Sequence, residues 1–269
     1  MIVRAGRPRV PAPVAVAIVA AWTCVLVAEI TGDAGLLHAH AHGQQHDLPF
    51  WLVVLLPTFW LTVAVFLVAW QVMIAAMMLP ASLPLIRLFS AAASRQEHPR
   101  LARAAFLGGY AVVWAAFGAA AFVADVAVRG AVEGTPWLRE HATLVPALAL
   151  ALAGAFQFSE LKDRCLDECR HPAPFLMRYY RRGVGEAYGL GKRHGIFCLG
   201  CCWALMLVMV VLGVASLALM ALLAVVMYYE RAGRYGRRIA PVVGIVLLAA
   251  AAVVAAAPDV VPAGLLGSW

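Results

Sequence analysis

The sequence predicts an all-α fold: a polytopic membrane helix bundle of about seven transmembrane helices, with the N-terminus cytoplasmic and the C-terminus outside. Three observations predict it. Hydrophobic residues make up 64% of the 269 positions and charged residues only 13%, about half the charged fraction of a soluble domain, and the mean hydropathy is +0.86. Several apolar runs approach or exceed the roughly 20 residues that cross a bilayer as a helix. Lys and Arg collect in alternate connections, as the positive-inside rule requires. The net charge of +7 therefore belongs to loops that fix orientation and is no argument for a nucleic-acid partner.

Arg4, Arg7 and Arg9 precede the first apolar stretch, which is longer than a secretory signal core and is expected to be a span. Spans are expected at 12–31, 53–79, 102–127, 142–160, 195–213, 215–230 and 239–257. The run from Leu48 to Phe89 is too long for one helix and too short for two. Pro57, Pro80 and Pro84 punctuate it, which predicts an interfacial entry, one span and a broken or re-entrant exit. With the N-terminus inside, 19 of the 21 Lys and Arg residues lie in cytoplasmic segments, and only Arg129 and Arg139 lie outside. One integral membrane domain, 1–269, is expected, with a His-rich outer loop at 32–48 and a cytoplasmic Cys-containing loop at 161–194.

Five of the six cysteines fall in two short motifs, "CLDEC" (Cys165, Cys169) and "CLGCC" (Cys198, Cys201, Cys202). The sixth, Cys24, reads as a buried small hydrophobe of the first helix. At about 100° per residue, Cys198, Cys201 and Cys202 share one arc of a helix, with His194 one turn earlier. Cys165 and Cys169 are i, i+4 neighbours if their segment is helical. Two such halves facing each other would offer several sulfur ligands to one ion, and soft thiolate and thioether donors favour Cu(I) and Zn(II). The charge argument puts both motifs on the cytoplasmic side, where thiols stay reduced. Zinc-finger spacing is not met, and the glycine-rich segment 183–195 matches neither a dinucleotide fingerprint nor a Walker A loop. That segment reads as close helix packing or a sharp re-entry into the membrane.

"MIAAMMLP" places Met77 and Met78 at the end of the second span, just before Pro80. Thioethers can relay Cu(I), and methionine is also common core filler. The first outer loop, "HAHAHGQQHD", carries His38, His40, His42 and His46, half the histidines of the chain. Imidazoles two residues apart in an extended loop can face the same way and bind a metal. No Ser-His-Asp set, paired carboxylates or HExxH motif occurs, so nothing argues for hydrolysis and the chain does not read as an enzyme.

At these residues the chain resembles a bacterial family of predicted metal-binding integral membrane proteins. The resemblance is carried by "AMMLPASLP" from Ala76, Gln157 and Lys162, "CLDECRHP" from Cys165, "HGIFCLGCCWALM" from His194, and Glu230. It covers about residues 58–255. The chain departs from the family where "GVASLALM" from Gly213 replaces a Gly-x-Met-Asn, and where its first outer loop is His-rich rather than Met-rich. The resemblance implies metal binding, copper above all with zinc the alternative, in a multi-pass protein of the bacterial inner (plasma) membrane.

The reading this supports is a copper-handling membrane protein. Cys165, Cys169, Cys198, Cys201, Cys202 and His194 would hold Cu(I) at the cytoplasmic side, with Met77 and Met78 and the four loop histidines as further ligands. The ion would be transported or delivered to a membrane cuproenzyme. Two other readings stay open: an accessory subunit of a larger membrane complex or a homo-oligomer, with structural cysteines, and a membrane thiol-disulfide oxidoreductase shuttling between the two motifs.

Overall fold

A computed structural model describes residues 11–31, 57–212 and 217–257. They form ten helices and no strand: α1 (Ala12–Thr31), α2 (Pro57–Ala93), α3 (Pro99–Gly134), α4 (Pro136–Glu140), α5 (Leu144–Phe156), α6 (Glu160–Arg170), α7 (Pro172–Tyr179), α8 (Val184–Leu212), α9 (Leu217–Ala232) and α10 (Gly236–Ala256). Four of them, α2, α3, α8 and α10, are long and apolar enough to cross a membrane. The pair α5 and α6, bent by 66°, makes a fifth if counted as one broken span. The outward surface is apolar, with Val16, Leu61, Val68 and Ile245 each more than 60% exposed, as expected of a surface that meets lipid.

The central helix is α8. Of its apolar window, 56% is buried inside the protein, against 33% or less for the other three long helices. Small residues let its backbone approach those of its neighbours closely. Gly109 of α3 lies against the Tyr188 carbonyl, and Gly191 of α8 lies against the Phe106 carbonyl; a methyl group at either position would collide with backbone. On the other side of α8, α5 packs on α10, where Gly154 sits against Leu248 and the Gly244 carbonyl.

The broken exit expected of the second span is not there. Helix α2 runs unbroken from Pro57 to Ala93 through Pro80 and Pro84. Pro80 has no N–H to give the Ala76 carbonyl. Trp22 of α1 gives its own instead, Nε1 donating to that oxygen at 3.0 Å. Lower on α2, Trp70 Nε1 donates to the Trp114 carbonyl at 2.9 Å and Gln71 Nε2 to the Ala111 carbonyl at 2.8 Å, tying α2 to α3. Gly118 leaves room for the Trp70 ring.

The span expected at 142–160 ends early, at Phe156. There the sequence turns from apolar to charged, and Ser159 caps α6 by accepting from the Lys162 N–H at 3.2 Å. The cytoplasmic loop expected at 161–194 is correspondingly helical: α6, then α7 started by Pro172, then the first three turns of α8. The glycine-rich segment is thus the continuous start of α8, not a re-entry. Cys24 is exposed rather than buried, because α1 turns only one face to α2. The His-rich outer loop, with His38, His40, His42 and His46, lies outside the described residues.

Neighbouring glycines on α8 give a sharp test of the α3–α8 crossing. Gly191→Ala should destabilise the protein by about 1–3 kcal/mol. Gly189→Ala, which meets open space, should be neutral or stabilising by up to about 1 kcal/mol through helix propensity. Thermal unfolding in detergent compares the two, and equal shifts of the same sign would contradict this packing.

Candidate metal centre

The two cysteine motifs meet. Helix α6 packs on α8 with the Cys165 sulfur over Gly200, where a Cβ atom would stand 2.5 Å from Sγ. The glycine inside "CLGCC" is therefore the gap that admits the thiol of "CLDEC". Cys169, one turn along α6, lies near enough to Cys201 for the two side chains to interact. Cys198, Cys201 and Cys202 are each no more than 2% exposed and Cys165 is 7% exposed. All six cysteines are free.

A third helix adds a thioether. Met78 of α2 is fully buried, and its Sδ lies 3.9 Å from Cys202 Sγ. Two sulfur ligands of one ion, each at roughly 2.3 Å, stand about 3.8 Å apart at a tetrahedral angle and about 4.6 Å apart when opposed. The Cys202–Met78 separation falls within that span. Met77, Met206, Met209 and Met220 are buried in the same core cluster, so the surroundings are rich in sulfur and poor in oxygen.

The thiols are not yet turned toward a common point. Cys201 and Cys202 both donate to the Cys198 carbonyl of their own helix, at 3.1 and 2.9 Å. Tyr110 of α3 meets Cys198 Sγ at 3.1 Å through its hydroxyl. Among the described residues no three His, Cys, Asp or Glu side chains are arranged to hold a metal ion directly.

His194 is placed differently from the sulfurs. Its ring is buried among Phe106, Tyr110 and Phe175, with centroids 5.5–6.3 Å away, and Nε2 faces the Ser82 hydroxyl at 3.2 Å. Nδ1 has no hydrogen-bond partner. The Tyr110 side chain stacks on His194 and reaches Cys198, so it links the imidazole to the thiols rather than letting them touch.

Charged residues read from the sequence as loop cations turn inward. Lys162 of α6 is 1% exposed and pairs with Glu230 of α9, 2% exposed, at 2.7 Å. Arg231 of α9 is 5% exposed. Its guanidinium donates to Met78 Sδ at 3.7 Å and to Cys169 Sγ at 3.4 Å. Arg170 secures the end of α9 by donating to the Glu230 and Gly233 carbonyls. Sequence reasoning missed Arg231 and Tyr110. The available signal was an arginine directly after a glutamate in "YYERAGR", at the end of an apolar helix, where a charge is ordinarily read as solvated.

Breaking the Lys162–Glu230 pair by Glu230→Ala leaves a buried ammonium alone and should cost about 3–5 kcal/mol. The double replacement Lys162→Met with Glu230→Leu should recover most of that loss. Melting of the detergent-solubilised variants reads the difference, and a double variant as unstable as the single would show that the pair is not what the buried lysine depends on.

Residues 67–254 match the family model described as PpoB2: Copper chaperone. No curated protein and no solved structure matches the chain. The matched region holds every cysteine of the two motifs together with Met78, Tyr110 and Arg231. It supports copper as the metal and gives no support to zinc, and a copper chaperone is a non-enzymatic role. The chain belongs to the PpoB2 copper chaperone family.

Proposed function

We propose that this copper-handling protein is a membrane-embedded chaperone that binds Cu(I) in the sulfur-lined chamber between α2, α6, α8 and α9 and passes it to a membrane cuproenzyme. The observation that carries this reading is the meeting of "CLDEC" and "CLGCC" beside the Met78 thioether, with Cys202 and Met78 sulfurs 3.9 Å apart. Cys165, Cys169, Cys198, Cys201, Cys202 and Met78 are the ligands to be expected. Soft, largely dry sulfur donors suit a soft monovalent ion. Tyr110 and the aromatic cage of His194 flank the thiols, and Met77 extends the thioether lining.

The chain in this reading is one integral membrane domain with seven passes, contributed by α1, α2, α3, the broken α5–α6 pair, α8, α9 and α10. The N-terminus is cytoplasmic and the C-terminus outside, in a bacterial inner membrane. Support comes from the 19 of 21 Lys and Arg that this orientation assigns to the inner side. The thiols then lie toward the inner leaflet, where they stay reduced. His38, His40, His42 and His46 would collect copper on the outer side.

Metal analysis of the purified protein tests the proposal. The wild-type chain loaded with Cu(I) under anaerobic conditions should hold copper that survives desalting. The variant Cys198→Ser, Cys201→Ser, Cys202→Ser should lose most of it while keeping its helical circular dichroism. Equal copper in the two samples would sink the assignment.

A further inference from the structure

Arg231 is the buried group that the copper reading leaves unexplained. It reaches the sulfur chamber from α9, and among the described residues no carboxylate pairs with it. The neighbouring Glu230 is engaged through Oε2 with Lys162. The two guanidinium nitrogens that make contacts donate to Cys169 Sγ and Met78 Sδ, while Nε has no partner. A guanidinium held by sulfurs alone is poorly compensated, because a neutral thiol or thioether is a weak acceptor compared with a carboxylate.

We propose that Arg231 is the resident cation of the copper chamber: its guanidinium holds the position between Met78 and Cys169 that Cu(I) takes, and its return expels the ion on delivery. The inference rests on the copper-binding reading above and concerns how that site is emptied. Two of the expected copper ligands are the atoms that the guanidinium contacts, and two cations drawn to the same pair of sulfurs repel each other at that range, so Cu(I) and the guanidinium compete for the position. Loading moves the guanidinium aside as Cu(I) enters, and each thiol that becomes a thiolate ligand gives its proton to solvent, so the charge of the ion is offset by the protons released and those protons return when the ion leaves. Copper remains Cu(I) throughout and no electron is transferred. Glu230 Oε1, on the neighbouring residue, is buried and without a hydrogen-bond partner, and it is the acceptor left open for the displaced guanidinium. A chaperone has to hold its ion and also give it up; a built-in competitor for the ligands weakens retention without removing a ligand.

The experiment compares the full chain with Arg231→Met, Arg231→Gln and Arg231→Lys in detergent micelles. Each is loaded with one equivalent of Cu(I) under anaerobic conditions and challenged with excess chromogenic Cu(I) chelator. The neutral variants should release copper about tenfold more slowly than wild type, or slower still, while Arg231→Lys stays within about threefold of it. If Arg231 served instead to position the thiols, the neutral variants would release copper faster, and unchanged or faster release from monodisperse protein overturns the proposal. A second readout needs no stable neutral variant. In wild-type protein with ¹⁵N-labelled arginine, the buried Nε–H resonance, identified by its loss in Arg231→Lys, should shift on addition of one equivalent of Cu(I). A resonance unmoved at saturation also overturns the proposal. Wild-type protein that takes up no Cu(I) would defeat the copper-binding reading itself, whereas wild type and neutral variants that bind it and release it alike would defeat only the role of Arg231.

Discussion

Contact between the backbones of α3 and α8 is the constraint on which the rest depends. A side chain at Gly109 or Gly191 would force the two helices apart. Tyr110 follows Gly109 directly and could not then reach Cys198 at 3.1 Å, nor stack on His194. The opposite face of α8 carries Gly200, which receives the Cys165 thiol of α6, while Cys198 stays on the side that Tyr110 reaches. One helix thus has two demands on it: glycines at Gly191 and Gly195 for α3, and a glycine at Gly200 for the Cys165 thiol. The regular recurrence of small residues along α8 reflects close packing on two sides.

Around that frame the protein buries two cations in different ways. Lys162 has a carboxylate, at 2.7 Å, and is in effect a neutral pair joining α6 to α9. Arg231 has sulfurs. Both residues stand on the same two-helix seam as the thiols, so the electrostatics of the chamber and the mechanics of the α6–α9 contact cannot be varied separately. Arg170 strengthens the seam through backbone carbonyls of α9. Surface pairs such as Arg164 with Glu160, at 3.0 Å on exposed side chains, add little by comparison.

The all-helical class and the facing of the two cysteine motifs were legible in the sequence because each rests on a local periodicity: apolar runs for the helices, and i, i+3, i+4 spacing for Cys198, Cys201 and Cys202. What failed was long-range. The broken exit expected after Met78 was a fair inference from Pro80 and Pro84, but the residue that heals the break, Trp22, is 54 positions from its acceptor. Lys162 and Arg231 were read as loop charges because their surroundings in sequence are polar; only the folding of α6 against α8 and α9 covers them. Glycine-for-thiol complementarity, Gly200 against Cys165, has no signature in either motif taken alone. The break at Phe156 was hidden by an apolar run that continues nearly to the cap at Ser159.

The hydrogen bond from Trp22 to the Ala76 carbonyl has a consequence for how sequences of this kind can diverge. The family match begins at residue 67, after α1 has ended, yet the carbonyl that Pro80 strands lies inside the matched region. A relative with an altered leading helix must find another donor for that oxygen or give up the proline, and position 22 should drift freely wherever position 80 is no longer proline. The first helix acts in this sense as a splint: from outside the matched region it gives a donor to the carbonyl that Pro80 strands, on a helix that runs unbroken past the sulfur chamber.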